Sequence, residues 1–130
     1  MSTVDLPRDD AVLELPDEPL SRADLERRIA SAVPGVRGDR LADVLTVAAE
    51  LARNACLHAN SPRRMRLNRP REGVVRIEVV DGSPGVLPVL GRFDQSWHGR
   101  GLVVVNRLAE HWGCQPHGDH KVVWAEVRHG

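Results

Sequence analysis

A long amphipathic segment constrains the fold of this chain more than any other feature. Between Asp39 and Ala59 the apolar residues recur every three or four positions, the spacing that places them on one stripe of a helix. The stripe consists of Leu41, Val44, Leu45, Ala48, Leu51, Ala52, Ala55 and Ala59. The sequence therefore predicts its strongest helix here, and Asn60-Ser61-Pro62 closes it.

A different period indicates a sheet with one face in water. In the segment Val74–Val80 the apolar residues at 75, 77 and 79 share one face, and Arg76 and Glu78 lie on the other. Helices then cover only the apolar face. This pattern favours a two-layer α+β sandwich over a doubly wound parallel sheet.

Shorter patterns predict the other elements and their order, β-α-α-β-β-loop-α-β-β, in a single domain at 11–130 after a flexible N-terminus at 1–10. Before the long helix they predict an edge strand over Val12–Leu15 and a helix from Ser21 to about Val33, which Pro34-Gly35 stops. After it they predict a strand Arg64–Asn68, a hairpin turn Arg69–Gly73 and a long loop Asp81–His98. The last elements are a helix from Leu102 to Trp112, which Gly113 stops, and two strands, Cys114–His117 and Lys121–Arg128, around Gly118-Asp119.

Composition excludes several classes of function. The chain has 130 residues, with 18 Lys and Arg against 18 Asp and Glu, so no basic excess favours direct nucleic-acid or membrane-surface binding. No apolar stretch approaches the roughly 20 residues that span a bilayer, and the first residues lack the pattern of a signal peptide. Two cysteines are too few for a disulfide scaffold. These features predict a cytoplasmic protein.

Glu50 and Asn54 are the first candidates for chemistry. They stand four positions apart on the long helix, roughly opposite its apolar stripe. On a solvated face they would be ordinary surface residues. In a crevice, the carboxylate can accept a proton from a hydroxyl group, and the amide oxygen is a hard ligand for Mg²⁺ that carries phosphates.

Two glycine-containing segments are the other candidates. Asp81-Gly82-Ser83-Pro84-Gly85 follows a buried strand, where the carboxylate can bind the exocyclic amine of a purine or simply hold a turn. Gly99-Arg100-Gly101-Leu102 opens a predicted helix. There, free backbone N–H groups and the positive end of the helix can hold phosphate, although flexible entry into the helix explains the glycines equally well.

In this order, the three segments resemble the GHKL (Bergerat) ATP-binding fold. The stretch from Val47 to Val127 is similar to the anti-sigma-factor serine/threonine kinases and their small stand-alone relatives in actinobacteria. The segment at 50–59 resembles the N box of that family, 81–84 the G1 box and 99–105 the G2 box, and 118–124 resembles its closing hairpin. The resemblance implies a mixed, mostly antiparallel sheet with helices on one face.

The resemblance also implies cofactors, roles and partners. ATP and Mg²⁺ would be the cofactors, with Asn54 as the Mg²⁺ ligand and Glu50 as the general base that deprotonates a serine of a protein substrate. The remaining site residues would bind nucleotide: Asp81 the adenine amine, Gly82 and Gly85 the closely packed nucleotide, and Gly99, Arg100, Gly101 and Leu102 the phosphates. The substrate would be an anti-anti-sigma protein, the sequestered partner a sigma factor, and a homodimer is possible.

Three departures from the family pattern keep a second function open. Ser83 stands at the middle position of the G1 box, Val122 replaces a threonine that supports the adenine-binding aspartate, and the lid Val86–His98 is short. They favour a non-catalytic interaction module that retains the fold and sequesters a regulatory partner.

The remaining cysteines and aromatic residues suggest packing. We expect Cys56 and Cys114 to be small core residues, and Trp112 and Trp124 to anchor the core. The lid residue Trp97 fits a partner contact and simple packing equally well. The C-terminal histidines lack carboxylates or cysteines at metal-ligand spacing, so we expect no zinc site.

Overall fold

The computed structural model describes residues 11–16, 20–58, 63–84 and 98–130. Within these ranges it describes the side chains of all residues except 56–58 and 98–102. The elements are β1 (Ala11–Glu14), α1 (Arg22–Ala32), α2 (Gly38–His58), β2 (Arg64–Asn68), β3 (Val74–Asp81), α3 (His98–Leu108), β4 (His111–His117) and β5 (His120–Arg128). This order confirms the predicted one. The predicted flexible N-terminus, Gly85 and nearly all of the lid, including Trp97, lie outside the described residues.

The strands form a five-stranded sheet in the order β1-β2-β3-β5-β4. Every pairing between the described strands is antiparallel, so the sheet is more uniform than the mixed one expected. As predicted, β1 is an edge strand. Two of the interior strands, β3 and β5, pair from Val74↔Arg128 to Asp81↔Lys121, which places Asp81 and Lys121 side by side at one end of the sheet.

One face of the sheet carries the hydrophobic core. Inward-facing side chains of β2, β3 and β5 pack against buried residues of α1 and α2, as the two-layer prediction requires. The largest fully buried side chains are Ile29, Val33, Val44, Val47, Leu51, Met65, Leu67, Val74, Val75, Ile77, Val79 and Val105. None of the described helices is both long and apolar enough to cross a membrane.

Local sequence signals explain where α1 begins and ends. The Ser21 side chain caps the helix by accepting a hydrogen bond of 3.1 Å from the backbone N–H of Asp24. At the other end the helix stops before Pro34, and Gly35 takes a φ of +98°, a conformation that favours glycine. Both ends of α1 are therefore encoded by their own residues.

The predicted end of α3 is wrong. The helix ends at Leu108, because the N–H of Glu110 bonds to the carbonyl of Glu126 at 2.7 Å and the chain enters β4. Trp112 and Gly113 are therefore strand residues, and Trp112 still packs against the core. The residues at 108, 109 and 112 match helical spacing, yet a turn and a strand bring them to the same core.

Trp124 does not anchor the core as predicted. Its neighbours Val123 and Ala125 are buried, so alternation along β5 turns the half-buried Trp124 to the outer face of the sheet. There the guanidinium carbon of Arg76 lies 4.3 Å from the centre of the ring, a cation–π contact. The outer face thus holds an aromatic side chain among charged ones.

Candidate functional site

Glu50 and Asn54 lie on the C-terminal half of α2, where both are half-buried. Leu51 and Ala55, the residues that follow each of them, are buried in the core, whereas Arg53 is exposed. The two candidate side chains therefore flank the buried stripe, one helical turn apart, rather than stand fully in solvent. This placement leaves a carboxylate and an amide at the border between the helix and its packing partners.

Asp81 ends β3 with its side chain almost completely buried. Its Oδ1 atom accepts a hydrogen bond of 2.8 Å from the backbone N–H of Ser83, two residues further on. Ser83 is buried and Gly82 is half-buried. The side chain thus holds the turn after β3, which is one of the two roles that the sequence suggested for it. An aspartate in such a turn can still accept a hydrogen bond from a ligand.

The sequence interpretation missed Lys121 as a partner of Asp81. The Lys121 Nζ atom donates to Asp81 Oδ1 at 2.8 Å and to the Ser83 carbonyl at 2.9 Å. The side chains of Lys121 and Asp81 are 4% and 2% exposed. Because a buried charge is costly without a partner, the ion pair and the hydrogen bonds hold each other in place.

A signal for this pair was present in the sequence. Lys121 is the one lysine of the chain and has the same parity along β5 as Val123 and Ala125, which face the core. A lysine that faces a core needs a counter-ion. Asp81 has inward parity on the strand that pairs with β5, but the register of the two strands had to be known.

The segment 99–102 covers the second to the fifth residue of α3, which begins at His98, so most of it lies in the first turn. Gly99, Arg100, Gly101 and Leu102 are thus helical in backbone conformation, one step inside the helix that they were expected to open. Backbone N–H groups in the first turn of a helix have no partner within the helix, so they are free to bind an anion.

The elements that carry these residues are neighbours in the fold. Helix α2, which carries Glu50 and Asn54, packs against β3, which ends in Asp81, and against β5 and α3. Among the described residues, no hydrogen bond or ion pair joins Glu50 or Asn54 to the Asp81–Lys121 pair. The arrangement has the parts for a polar cleft with a carboxylate and an amide on one wall and a buried carboxylate on another.

Cys114 lies close enough to the ion pair to respond to its charges. Burial raises the pKa of the Cys114 thiol, and the nearby Asp81 carboxylate adds to the increase while Lys121 opposes it. A raised pKa keeps the sulfur protonated and a weak nucleophile. The half-buried Cys114 packs against the core, which fits the expected structural role.

A groove of about 770 Å³ lies elsewhere, between β1 and α1, and contains none of the predicted site residues. Its walls include Leu13 of β1 and Arg27, Arg28 and Ala32 of α1. Within the part of the chain that the structure describes, no three His, Cys, Asp or Glu side chains gather as a metal site. The candidate chemistry therefore stays with α2, β3 and α3.

Comparison with known proteins gives this site a context. The family model of the histidine kinase-like ATPase domain matches residues 17–126. The sensor protein kinase CarS of Pseudomonas aeruginosa is 40% identical over an alignment of 95 residues, which covers 64% of this chain and 21% of that protein. The chain thus spans about a fifth of the length of this relative.

A solved structure shares the fold. The crystal structure of the RsbU and RsbW domains of Rv1364c from Mycobacterium tuberculosis aligns with a TM-score of 0.62 and 17% sequence identity. The alignment covers 92% of this chain and 32% of the other. At this identity the match establishes a common fold.

Proposed function

The chain belongs to the family of histidine kinase-like ATPase domains, and from this premise we propose that it is an ATP-dependent serine/threonine protein kinase that acts as an anti-sigma factor. Its substrate would be an anti-anti-sigma protein, and the partner that it sequesters would be a sigma factor. Family membership and the name of the relative CarS, a sensor protein kinase, support the kinase class. The similarity of the three motif segments to anti-sigma-factor kinases supports the finer role.

In this proposal residues of three segments bind Mg²⁺-ATP. Asp81 accepts a hydrogen bond from the adenine amine, Gly82 and Gly85 allow close packing of the nucleotide, and the first turn of α3 holds the phosphates. Asn54 supplies an oxygen ligand to Mg²⁺. Because Mg²⁺ binds through few protein groups and takes other ligands from phosphates and water, a single half-buried amide fits such a site.

Glu50 is the proposed general base. Its carboxylate accepts the proton of a serine hydroxyl as the serine oxygen bonds to the γ-phosphorus of ATP, while the bond to the β–γ bridging oxygen breaks and ADP leaves. Phosphoryl transfer depends on positioning and charge neutralisation more than on covalent chemistry. A carboxylate one helical turn from the metal ligand is suitably placed for this step.

One observation carries the proposal. The carboxylate and amide of α2 are half-buried at the border of the core, and α2 packs against the strand that ends in the buried Asp81 and against the helix that begins at the glycine segment. Three motif-bearing elements, α2, β3 and α3, thus pack together, with α2 in contact with the other two. That convergence supports a nucleotide site rather than scattered surface residues.

The direct test is phosphate transfer to a protein. The chain is incubated with Mg²⁺, γ-labelled ATP and, one at a time, the anti-anti-sigma proteins of the same genome. We expect phosphoserine or phosphothreonine on one of them, with transfer lowered at least about 100-fold by Glu50→Gln and ATP affinity changed by less than about twofold. Glu26→Gln is the matched control, because Glu26 is exposed on α1, away from the candidate site.

Two outcomes would contradict the proposal. If the partner binds and ATP binds but no phosphoamino acid forms, the chain is not a kinase for that partner class. If Glu50→Gln transfers phosphate as fast as Glu26→Gln does, Glu50 is not the base. Phosphate on a histidine of the chain itself would instead point to the histidine kinase chemistry that the description of the family suggests.

A second function, a non-catalytic interaction module, is favoured by a specific contact. Lys121 already holds the Asp81 oxygen that also fixes the turn, and Val122 brings no hydroxyl to support the carboxylate. Such a module would bind its partner without nucleotide. Calorimetry with Mg²⁺-ATP separates the two functions, since the absence of binding heat in the wild type would favour the module.

The proposal also includes a cellular location and an assembly state. A circuit of this type operates in the cytoplasm, and the domain works as a monomer or a homodimer. Analytical ultracentrifugation with and without Mg²⁺-ATP distinguishes these two states. A shift of mass only with nucleotide would couple assembly to the site around α2.

A further inference from the structure

Two histidine rings lie beside each other at the tip of the hairpin between β4 and β5. His117 ends β4, His120 begins β5, and the two residues are partners in the strand register. Only Gly118 and Asp119 separate them, and Gly118 takes a φ of +65°, which favours glycine at this position of a two-residue hairpin loop. The tight loop therefore holds the two histidines opposite each other.

The distance between the two rings suits a shared metal ion. The ring centres of His117 and His120 are 5.3 Å apart, and the ring planes are 22° from parallel. On a tetrahedral ion with Zn–N bonds of about 2.0–2.1 Å, the centres of two bound imidazole rings lie about 5 Å apart. Since χ2 of histidine is a soft torsion, the rings can turn their nitrogens toward one point without movement of the backbone.

A hydrogen bond fixes which nitrogen of His120 can bind a metal ion. The Nδ1 atom of His120 lies 2.9 Å from Asp119 Oδ1. This hydrogen bond lowers the pKa of the Asp119 carboxyl, so the group is ionised at neutral pH and can only accept. Nδ1 therefore carries the proton, and in the neutral ring the lone pair is on Nε2. Histidines that bind metal ions in proteins are commonly held in this way by a carboxylate.

The outer-face neighbours of the histidine pair along its two strands do not repel a cation. His117 and His120 have outward parity, so they lie on the opposite face of the sheet from the buried Lys121 side chain. The next outward positions along the two strands are Gln115 and Val122, which carry no charge. The carboxylate in the loop adds a negative charge, which favours a bound cation.

We propose that His117 and His120 bind a divalent transition-metal ion of the class that imidazole prefers, such as Zn²⁺, Ni²⁺ or Cu²⁺, and that Asp119 positions the His120 ring. The site has two protein ligands, and water fills the other positions. It differs from a zinc centre with three or four protein ligands, which no three described side chains form. It goes beyond the proposed function, because it lies on the outer face of the sheet and uses imidazole nitrogens, whereas Mg²⁺ prefers oxygen ligands.

The test is calorimetric titration of the chain with Zn²⁺ in excess Mg²⁺ and without nucleotide. We expect one Zn²⁺ to bind per chain at a site that Mg²⁺ does not block. His117→Ala and His120→Ala should each raise the Kd at least about tenfold, because a single imidazole loses the gain from a linked second ligand. Asp119→Ala should raise the Kd about tenfold, because the carboxylate no longer holds the ring in the binding tautomer.

His111→Ala is the matched control. His111 is also an exposed histidine of β4, but its partner in the register is Glu126 and not a second histidine. Its replacement should change the Kd by less than about twofold, because it removes no pair of imidazoles. Since His117 is exposed, His117→Ala should keep the melting temperature of the wild type, and it carries the test even if replacement of the half-buried His120 lowers stability.

Three outcomes would overturn the inference. One is a wild type that binds Zn²⁺ no better than the His117→Ala/His120→Ala double variant. Another is a site that excess Mg²⁺ blocks, since that would indicate oxygen ligands. The third is a loss in His111→Ala as large as that in His117→Ala, which would indicate scattered surface histidines. An unchanged Kd in Asp119→Ala would overturn the positioning role alone. Because no nucleotide is present, these results are independent of whether the proposed kinase function holds.

Discussion

Gly113 illustrates how one missing side-chain atom shapes the outer face of the sheet. A Cβ at this position would lie 3.1 Å from Cζ2 and Nε1 of the Trp124 indole, closer than ordinary contact. The ring is held there from the other side by Arg76. We expect Gly113→Ala to lower the free energy of unfolding by about 1–3 kcal/mol, measured by urea denaturation, because the indole must move.

The same substitution in a Trp124→Leu background tests this cause. Leucine does not extend to the position of the indole atoms that the new Cβ would meet, so the cost of Gly113→Ala should fall by at least half. A double-mutant cycle gives the coupling energy directly. Equal costs in the two backgrounds would mean that the strain is in the backbone of β4, not in the contact with the ring.

Cys114 offers a residue-scale measurement of the electrostatics around Asp81 and Lys121. Because burial raises the pKa of its thiol, less thiolate forms at a given pH and alkylation should be slow. In a Cys56→Ser background, we expect the midpoint of the rate against pH to lie above about 8.5, the value of an ordinary thiol. The same protein unfolded in urea is the control, and a folded midpoint at or below its value would contradict the burial argument.

At the scale of elements, the outer face of the sheet is held by ion pairs across β2, β3 and β5. Glu126 on β5 takes part in two of the ion pairs. Its side chain is 10% exposed, and its carboxylate accepts hydrogen bonds from Arg76 at 2.9 Å and from Arg71 at 3.3 Å. We expect Glu126→Gln to lower the free energy of unfolding by about 1–3 kcal/mol, because two guanidinium groups lose a charged acceptor. Thermal and urea unfolding measure this change.

Glu14→Gln is the matched control for that prediction. Glu14 pairs with Arg64 across 3.6 Å, but its side chain is 73% exposed, so solvent screens the interaction. Its loss should cost less than about 1 kcal/mol, and less still at high salt. Similar costs for the two variants would show that the partial burial of Glu126 adds nothing to its ion pairs.

The elements could be predicted where local signals and packing agree. Ser21 caps α1, Pro34-Gly35 ends it, and the apolar stripe of α2 is long enough to exclude a strand. The end of α3 could not be predicted in this way, because the residues at 108, 109 and 112 also have helical spacing. The helix ends earlier because the backbone of Glu110 pairs with β5. To predict which side of the sheet Trp124 faces, one must know which residues of β5 point toward the core. Local composition does not give this alternation.

At the scale of the whole molecule, the predicted site depends on placement as well as on motifs. Spacing alone indicated that Glu50 and Asn54 share a helix face, and the fold adds that this face borders the core. The ion pair of Asp81 with Lys121 joins positions 40 residues apart. Such a contact follows from strand register, which is set by the sheet as a unit, so a pattern read along the chain does not reveal it.

Because the proposed site draws on separate elements, nucleotide should bind the folded chain only and stabilise it by mass action. At a free Mg²⁺-ATP concentration one hundred times the Kd, the expected gain is about 2.7 kcal/mol, read as a rise in melting temperature that grows with the logarithm of concentration. Asn54→Ala should lose most of this response, as should the wild type in EDTA, because both remove the Mg²⁺ contact. Asn68→Ala, on the outer face of β2, should respond like the wild type. If Asn54→Ala gains as much as Asn68→Ala, the phosphates are held without α2, and the site must be sought elsewhere on the fold.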